Sequence, residues 1–328
     1  MITYYPVTDV KYTPFSFDKG SGHELFEEFG IRRAESPQRC DLLVATHYPF
    51  FSSKPAVRLQ HLWLNYGLRK PLLVWTIEPR YCPVSPQTLK RPWPLAPVSF
   101  ATLYSGNLFI DNYSVYGYAI RRPELRLVDT GEVRSFNKRR TIALMTYQPG
   151  DTTFMVDGQD RDLYAFRQGL ALAGHKLGQC DIMGRNWPAG ISLGESRGAG
   201  WMEEKQKLLQ GYAFNLCIEN TNYDYYCTEK IWQAIHGGCL PIYYGKGNRI
   251  YDDFPRESFI DAADFSSYED VYEYINDMTV LEYCERMNRC ISVYNGYLAN
   301  HDWWRDSFAK SLGRTAELMR AMVAGDVF

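Results

Sequence analysis

No run in the 328 residues approaches the roughly 18 consecutive apolar side chains that a membrane-spanning helix requires. Met1 to Lys11 lacks the apolar stretch after a basic start that marks a secretory leader, so the expectation is a cytoplasmic protein. Neither sign of charge dominates. The 36 Lys and Arg against 38 Asp and Glu leave −2, which gives nucleic acid or an anionic membrane no global attraction. An anionic ligand must therefore be held by a local arrangement. The eight cysteines include no CxxC pair and no histidine at zinc-finger spacing, which argues against structural zinc. Several lie in apolar runs, as buried free thiols of a reducing compartment do. Internal repeats and low-complexity segments are missing too, and with them the solenoid and disordered classes.

What the chain has in excess is rings: 25 Tyr, 17 Phe and 8 Trp. Polar-tipped aromatics fill cores, and they also suit pockets that grip sugars or nucleobases. Short apolar strands are expected at Leu42 to Thr46, Pro71 to Thr76 and Val115 to Ile120, with helices at His23 to Phe29 and Val57 to Tyr66. The polar, basic run ending in Asn137, Lys138, Arg139 and Arg140 reads as a solvated linker before the strand Ile142 to Thr146. The second half alternates more regularly. Helix from Asp162 to Gly174, strand Asp181 to Met183, helix Trp201 to Tyr212, strand Phe214 to Ile218, helix Glu229 to His236 and strand Leu240 to Tyr243 make a series of βαβ units. The expected division is residues 1–136, residues 137–300 and a helical tail over 301–328. The expected fold class is α/β, with two Rossmann-like domains facing across a cleft.

The segment from Phe214 to Gly245 carries the chemistry. Phe214, Leu216 and Ile218 alternate as a strand, while Ile231, Ala234, Ile235 and Gly238 follow helical spacing. Between them, where parallel sheets bind ligands, lie Glu219, Asn220, Tyr223, Asp224, Tyr225 and Tyr226. Glu229 and Lys230 open the helix behind Thr228, a natural cap. A lysine there opposes the helix dipole by a few tenths of a kcal/mol, which makes sense where an anion is held by ammonium and free N–H groups together. A solvent-pointing side chain is the plainer alternative.

The combined pattern resembles the signature of the α-1,3-fucosyltransferase family: a strand ending F-E-N, a spacer, Y-x-T-E-K opening a helix, and a strand ending P-I-Y-x-G. Here these are Ile218-Glu219-Asn220, Tyr226-Cys227-Thr228-Glu229-Lys230 and Pro241-Ile242-Tyr243-Tyr244-Gly245, with Ile218 and Tyr244 the departures. Weaker likeness continues through Ser258-Phe259-Ile260 and Asp264-Phe265. The resemblance implies an inverting transferase of the GT-B type, with acceptor bound by the first domain and GDP-fucose by the second. It implies that Lys230 neutralises the pyrophosphate, that Glu229 takes a ribose hydroxyl, and that Asn220 and Tyr226 contact fucose and diphosphate. An arginine near the following helix completes the clamp. Arg161 and Arg167 both qualify, Arg161 being preferred for its aromatic neighbour Tyr164, and Arg185 matches a basic position after Gly184.

The resemblance also implies a base just past an apolar strand, here Glu78 after Trp75-Thr76-Ile77 and stopped by Pro79. Without the family, Glu78 reads as a surface residue or a partner of Arg80. His47 and Tyr48 are weak candidates for lining the acceptor site. No DxD stands at a strand end in the second half, so neither metal nor cofactor is expected beyond GDP-fucose as donor substrate. The expected partners are that donor and an oligosaccharide acceptor, in a bacterial-type enzyme without a membrane segment; the oligomeric state is open. Two rival readings stand beside this one: a GT-B transferase with another sugar nucleotide, and a silent glycan-binding module.

Overall fold

The computed structural model describes residues 1–10, 13–18, 22–46, 55–76, 79, 98–102, 123–131, 133, 140–150, 152–195, 200–300 and 303–325. The expected strand at Val115 to Ile120 and the candidates His47, Tyr48 and Glu78 lie outside the described residues. The chain forms two compact units, Met1–Val115 with Asp302–Phe328, and Tyr116–His301.

In the first unit, β1 (Ile2–Pro6), α1 (His23–Glu28), β2 (Ile31–Arg33), β3 (Leu42–Ala45), α2 (Pro55–Leu62), β4 (Leu72–Thr76) and β5 (Val98–Thr102) follow in chain order. The strands make a parallel sheet in the order β2-β1-β3-β4-β5. β3 and β4 coincide with the expected strands to within a residue, because Leu42 to Ala45 and Leu72 to Trp75 are buried without interruption, as parallel strands covered on both faces must be. β1 was hidden by its polar-looking Thr3-Tyr4-Tyr5. Tyr4 is nevertheless fully buried, and its hydroxyl donates to the buried Asp18 carboxylate at 2.6 Å.

The second unit contains β6 (Thr141–Leu144), the hairpin β7 (Met155–Val156) and β8 (Gln159–Asp160), α3 (Tyr164–Lys176), β9 (Cys180–Met183) and α4 (Trp201–Leu209). β10 (Phe214–Leu216), α5 (Glu229–His236), β11 (Leu240–Tyr243), β12 (Ile260–Asp261), α6 (Tyr268–Asp277) and α7 (Val280–Ala299) complete it. Its main sheet is again parallel, in the order β12-β11-β10-β6-β9. β10 is therefore the middle strand. Gly174 lets α3 and α6 approach, since a Cβ there would stand 2.2 Å from the Tyr272 ring. Tyr272 in turn donates its hydroxyl to the Leu170 carbonyl at 3.0 Å.

The unit boundaries differ from the expected ones at both ends. Residues before 136 join the second unit because two asparagines two helical turns apart on α7 grip their backbone. Asn295 exchanges bonds of 2.9 and 2.7 Å with Leu125, and Asn288 exchanges bonds of 2.8 and 3.0 Å with Val128. The tail is not a separate piece. It forms α8 (Trp303–Ala324), which belongs to the first unit. Phe308 meets Phe26 of α1 with ring centroids 6.3 Å apart, and the Arg320 guanidinium donates to the Phe29 carbonyl. Phe308 is 4% exposed. Phe308→Ala is therefore expected to lower the stability of the first unit by about 3–5 kcal/mol, the usual cost of emptying a buried phenylalanine site. A urea titration followed by a probe in that unit checks it, and an unchanged midpoint would contradict the docking.

Among the described residues no helix is long and apolar enough to cross a membrane. The described cysteines, from Cys40 to Cys290, are free and buried.

Candidate donor site at the carboxyl end of β10

β10 ends at Leu216, but its ladder continues one residue further, with the Cys217 amide donating to the Ile242 carbonyl at 3.0 Å. Cys217, Ile218, Glu219 and Asn220 are all buried as the chain leaves the sheet. A carboxylate in that position needs a partner, because an isolated charge is far costlier to bury than an apolar side chain. Glu219, 2% exposed, finds its partners at the start of α5. One oxygen accepts the Thr228 amide at 2.8 Å and the Thr228 hydroxyl at 2.6 Å. The other accepts the Lys230 ammonium at 2.5 Å, and that ammonium also donates to the Thr228 hydroxyl at 2.7 Å.

This sets aside one alternative and corrects one expectation. Lys230 does not point to solvent, since its side chain is 24% exposed and bound to Glu219. Thr228 stands at the N-cap of α5, yet its hydroxyl is turned to Glu219 and caps nothing. By contrast, Ser267 and Thr279 cap α6 and α7 in the ordinary way. The first turn of α5 thus receives no capping bond from Thr228 and stands beside an ammonium, an arrangement suited to receiving an anion.

The charges around this turn alternate. Burial opposes the Lys230 ammonium, but the Glu219 and Glu229 carboxylates outweigh it and raise its pKa. Burial likewise works against Glu229, which Lys230 and Lys205 nevertheless hold below the usual carboxylate range. Lys205, on α4, is pulled down to about 8, chiefly by burial, and donates to the Gln233 side chain. Burial pushes the Glu219 carboxyl up while Lys230 holds it back.

α3 contributes from the neighbouring side. Arg167 is 6% exposed, lies 4.4 Å over the Tyr164 ring and donates to the Ile218 carbonyl at 3.4 Å. Asn220 donates to the Tyr164 hydroxyl at 3.4 Å. Arg161, expected beside Tyr164, instead stands 5.9 Å over Tyr223, and Tyr164 lies under Arg167. The reason is the β7–β8 hairpin, which turns the chain so that Asp162 pairs antiparallel with Thr221 and the Asn222 amide donates to the Arg161 carbonyl. Arg161 therefore flanks the same loop.

Lys230, Glu229, Asn220, Tyr226 and Arg167 thus gather around the end of β10 and the start of α5, with Tyr226 3% exposed. Arg185 is exposed and paired with Glu195 at 2.9 Å. Glu219 and Lys205 received no role from the sequence. Glu219 was legible in principle, as an acidic side chain closing an apolar strand eleven residues before a lysine. Lys205 carried no signal beyond a polar helix face.

Residues 176–317 match the profile of the glycosyltransferase family 10 (fucosyltransferase) C-terminal domain. An Arabidopsis thaliana α-(1,4)-fucosyltransferase is 31% identical over 117 residues, 36% of this chain and 26% of that protein. The Helicobacter pylori α-(1,3)-fucosyltransferase FucT is 38% identical over 74 residues, 23% of this chain and 15% of that protein. The chain thus spans about a quarter or less of these relatives' own lengths. A crystal structure of an α1,3-fucosyltransferase superposes with a TM-score of 0.50 at 13% identity, covering 91% of this chain and 89% of that one. T4 phage BGT, solved with UDP and Mn2+, gives 0.50 at 14% identity over 94% and 99%. At these identities the likeness speaks for the fold, the GT-B type built from parallel α/β units. Glu229 and Lys230 lie within the matched segment, and over residues 176–317 the chain is similar to the C-terminal domain of glycosyltransferase family 10, the fucosyltransferases.

Proposed function

We propose that the chain is an inverting α-1,3-fucosyltransferase that moves L-fucose from GDP-fucose to a hydroxyl of a GlcNAc or Glc residue in an N-acetyllactosamine- or lactose-type glycan. The observation that supports this best is the uncapped first turn of α5 with the Lys230 ammonium fixed beside it, inside the segment that matches the fucosyltransferase domain. In this reading the diphosphate lies against those N–H groups and Lys230. Glu229 takes a ribose hydroxyl, and Asn220 and Tyr226 face the sugar and diphosphate.

Arg161 completes the clamp. Arg161 stands over the Tyr223 ring beside the loop, whereas Arg167 already donates to the Ile218 carbonyl and lies over the Tyr164 ring. A planar guanidinium suits two phosphate oxygens at once. Arg185, exposed and paired with Glu195, takes no part.

Glu78 is the base, a role that comes from the family pattern. It removes the proton of the acceptor hydroxyl as that oxygen attacks the anomeric carbon from the face opposite GDP. The bond from the anomeric carbon to the phosphate oxygen breaks, and its electron pair leaves with GDP. The transition state is oxocarbenium-like, and the growing charge on the phosphate falls to Lys230 and Arg161.

Incubation with GDP-fucose and an array of acceptors, read by mass spectrometry, tests this. The expected result is a gain of one deoxyhexose on a galactosyl-GlcNAc or lactose acceptor, with GDP released. Transfer from another sugar nucleotide alone would replace the donor assignment. Release of no nucleotide with any donor and acceptor would leave a glycan-binding module.

A further inference from the structure

We propose that Glu219 is the positioning residue of this site, holding the Lys230 ammonium in its working place before any donor arrives. This rests on the reading of the α5 turn as a diphosphate site and goes beyond it, because Glu219 is assigned no contact with the donor.

The geometry is specific. Among the described residues, every hydrogen bond to the Glu219 carboxylate comes from Thr228 or Lys230, and none serves the sheet that Glu219 leaves. The Thr228 hydroxyl gives its hydrogen to Glu219 and receives one from Lys230, so the three side chains form a closed ring. Two of the three ammonium hydrogens are committed to that ring. The third has no partner among the described residues and is the one left for an anion. A long flexible side chain ordinarily loses rotamer freedom when it grips a ligand, and here that loss has already been incurred on folding. The same ring explains why Thr228 forgoes its capping bond: its hydroxyl is required to orient Lys230, and the first turn stays open.

Glu219 also keeps the ammonium charged. Lys230 is faced by Glu219 from the end of β10, by Glu229 on its own helix, by Arg167 from α3 and by Lys205 from α4. The two carboxylates favour its proton, while burial and Arg167 oppose it. Removing Glu219 takes away the larger of the two favourable charges, so Lys230 loses its proton at lower pH.

The experiment measures GDP binding by calorimetry across neutral to alkaline pH for the full chain and for Glu219→Gln, a substitution whose amide oxygen still accepts from Thr228 while the charge and the oxygen that accepts from Lys230 are lost. The variant is expected to bind GDP about tenfold more weakly at neutral pH, the scale of one charge-assisted hydrogen bond. Its alkaline loss of binding is expected to begin at lower pH than in the parent chain. A merely structural role would weaken binding without moving that limb. If Glu219→Gln does not fold, Thr228→Val serves instead: it deletes the bridging hydroxyl and is expected to weaken binding severalfold, with Thr228→Ser restoring it. Equal affinity and an unmoved limb in the variant would overturn the assignment of Glu219. A parent chain that fails to bind GDP at any pH would instead overturn the donor site itself, and this proposal with it.

Discussion

Lys230→Ala is expected to lower fucose transfer by about 10²–10³-fold, the usual consequence of deleting one preorganised contact to a developing charge. Donor binding should weaken as well, because the ammonium meets the diphosphate in the ground state and in the transition state alike. The substitution has a second effect that the buried ring makes unavoidable. Glu219 would be left 2% exposed without its cation. Breaking a buried pair by removing one partner costs about 3–5 kcal/mol unless the remaining group neutralises itself by taking a proton. Lys230→Ala with Glu219→Gln removes both charges together and is expected to recover most of the lost stability while leaving transfer as low as in the single variant. Thermal unfolding and initial rates, measured on both variants, separate the two effects. A single variant with wild-type transfer would remove Lys230 from the mechanism.

Glu78→Gln should show the opposite split. Deleting a general base typically costs about 10²–10⁴ in rate, and the base touches the acceptor hydroxyl, not the nucleotide. Transfer is expected to fall by that factor with GDP-fucose affinity within about twofold of the parent, as read by turnover and by calorimetry side by side. Retained turnover would show that the proton goes elsewhere. Glu78 and Lys230 are thus distinguished by what they leave intact.

The site was legible where local pattern and tertiary placement agree. The helix Glu229 to His236 and the strand Leu240 to Tyr243 appear in the structure with the bounds expected from their apolar spacing. Ile231, Trp232, Ala234 and Ile235 are buried as that spacing requires. The position of Lys230 on the first turn was likewise readable, since it depends only on where the helix begins. Its partner was not, because the contact joins residues eleven apart through a loop whose path no periodicity specifies. The placement of Tyr164 under Arg167 and not Arg161 has the same origin. The hairpin of β7 and β8 has two-residue strands around Asp157 and Gly158, both at positive φ, too short for a strand pattern to register. β1 escaped notice for another reason: burial of Tyr4 depends on Asp18, a long-range partner that turns a polar-looking strand into a core one.

The placement of α8 in the first unit bears on the order of assembly. A ribosome delivers Tyr116–His301 in full before the residues that finish the earlier unit have been made. The second sheet can therefore close as each of its strands emerges, whereas the first must hold Phe26 without its mate until Phe308 arrives 282 residues later. For that interval the nascent amino-terminal half presents an unfinished apolar face, the kind of surface that chaperones cover and that aggregation exploits.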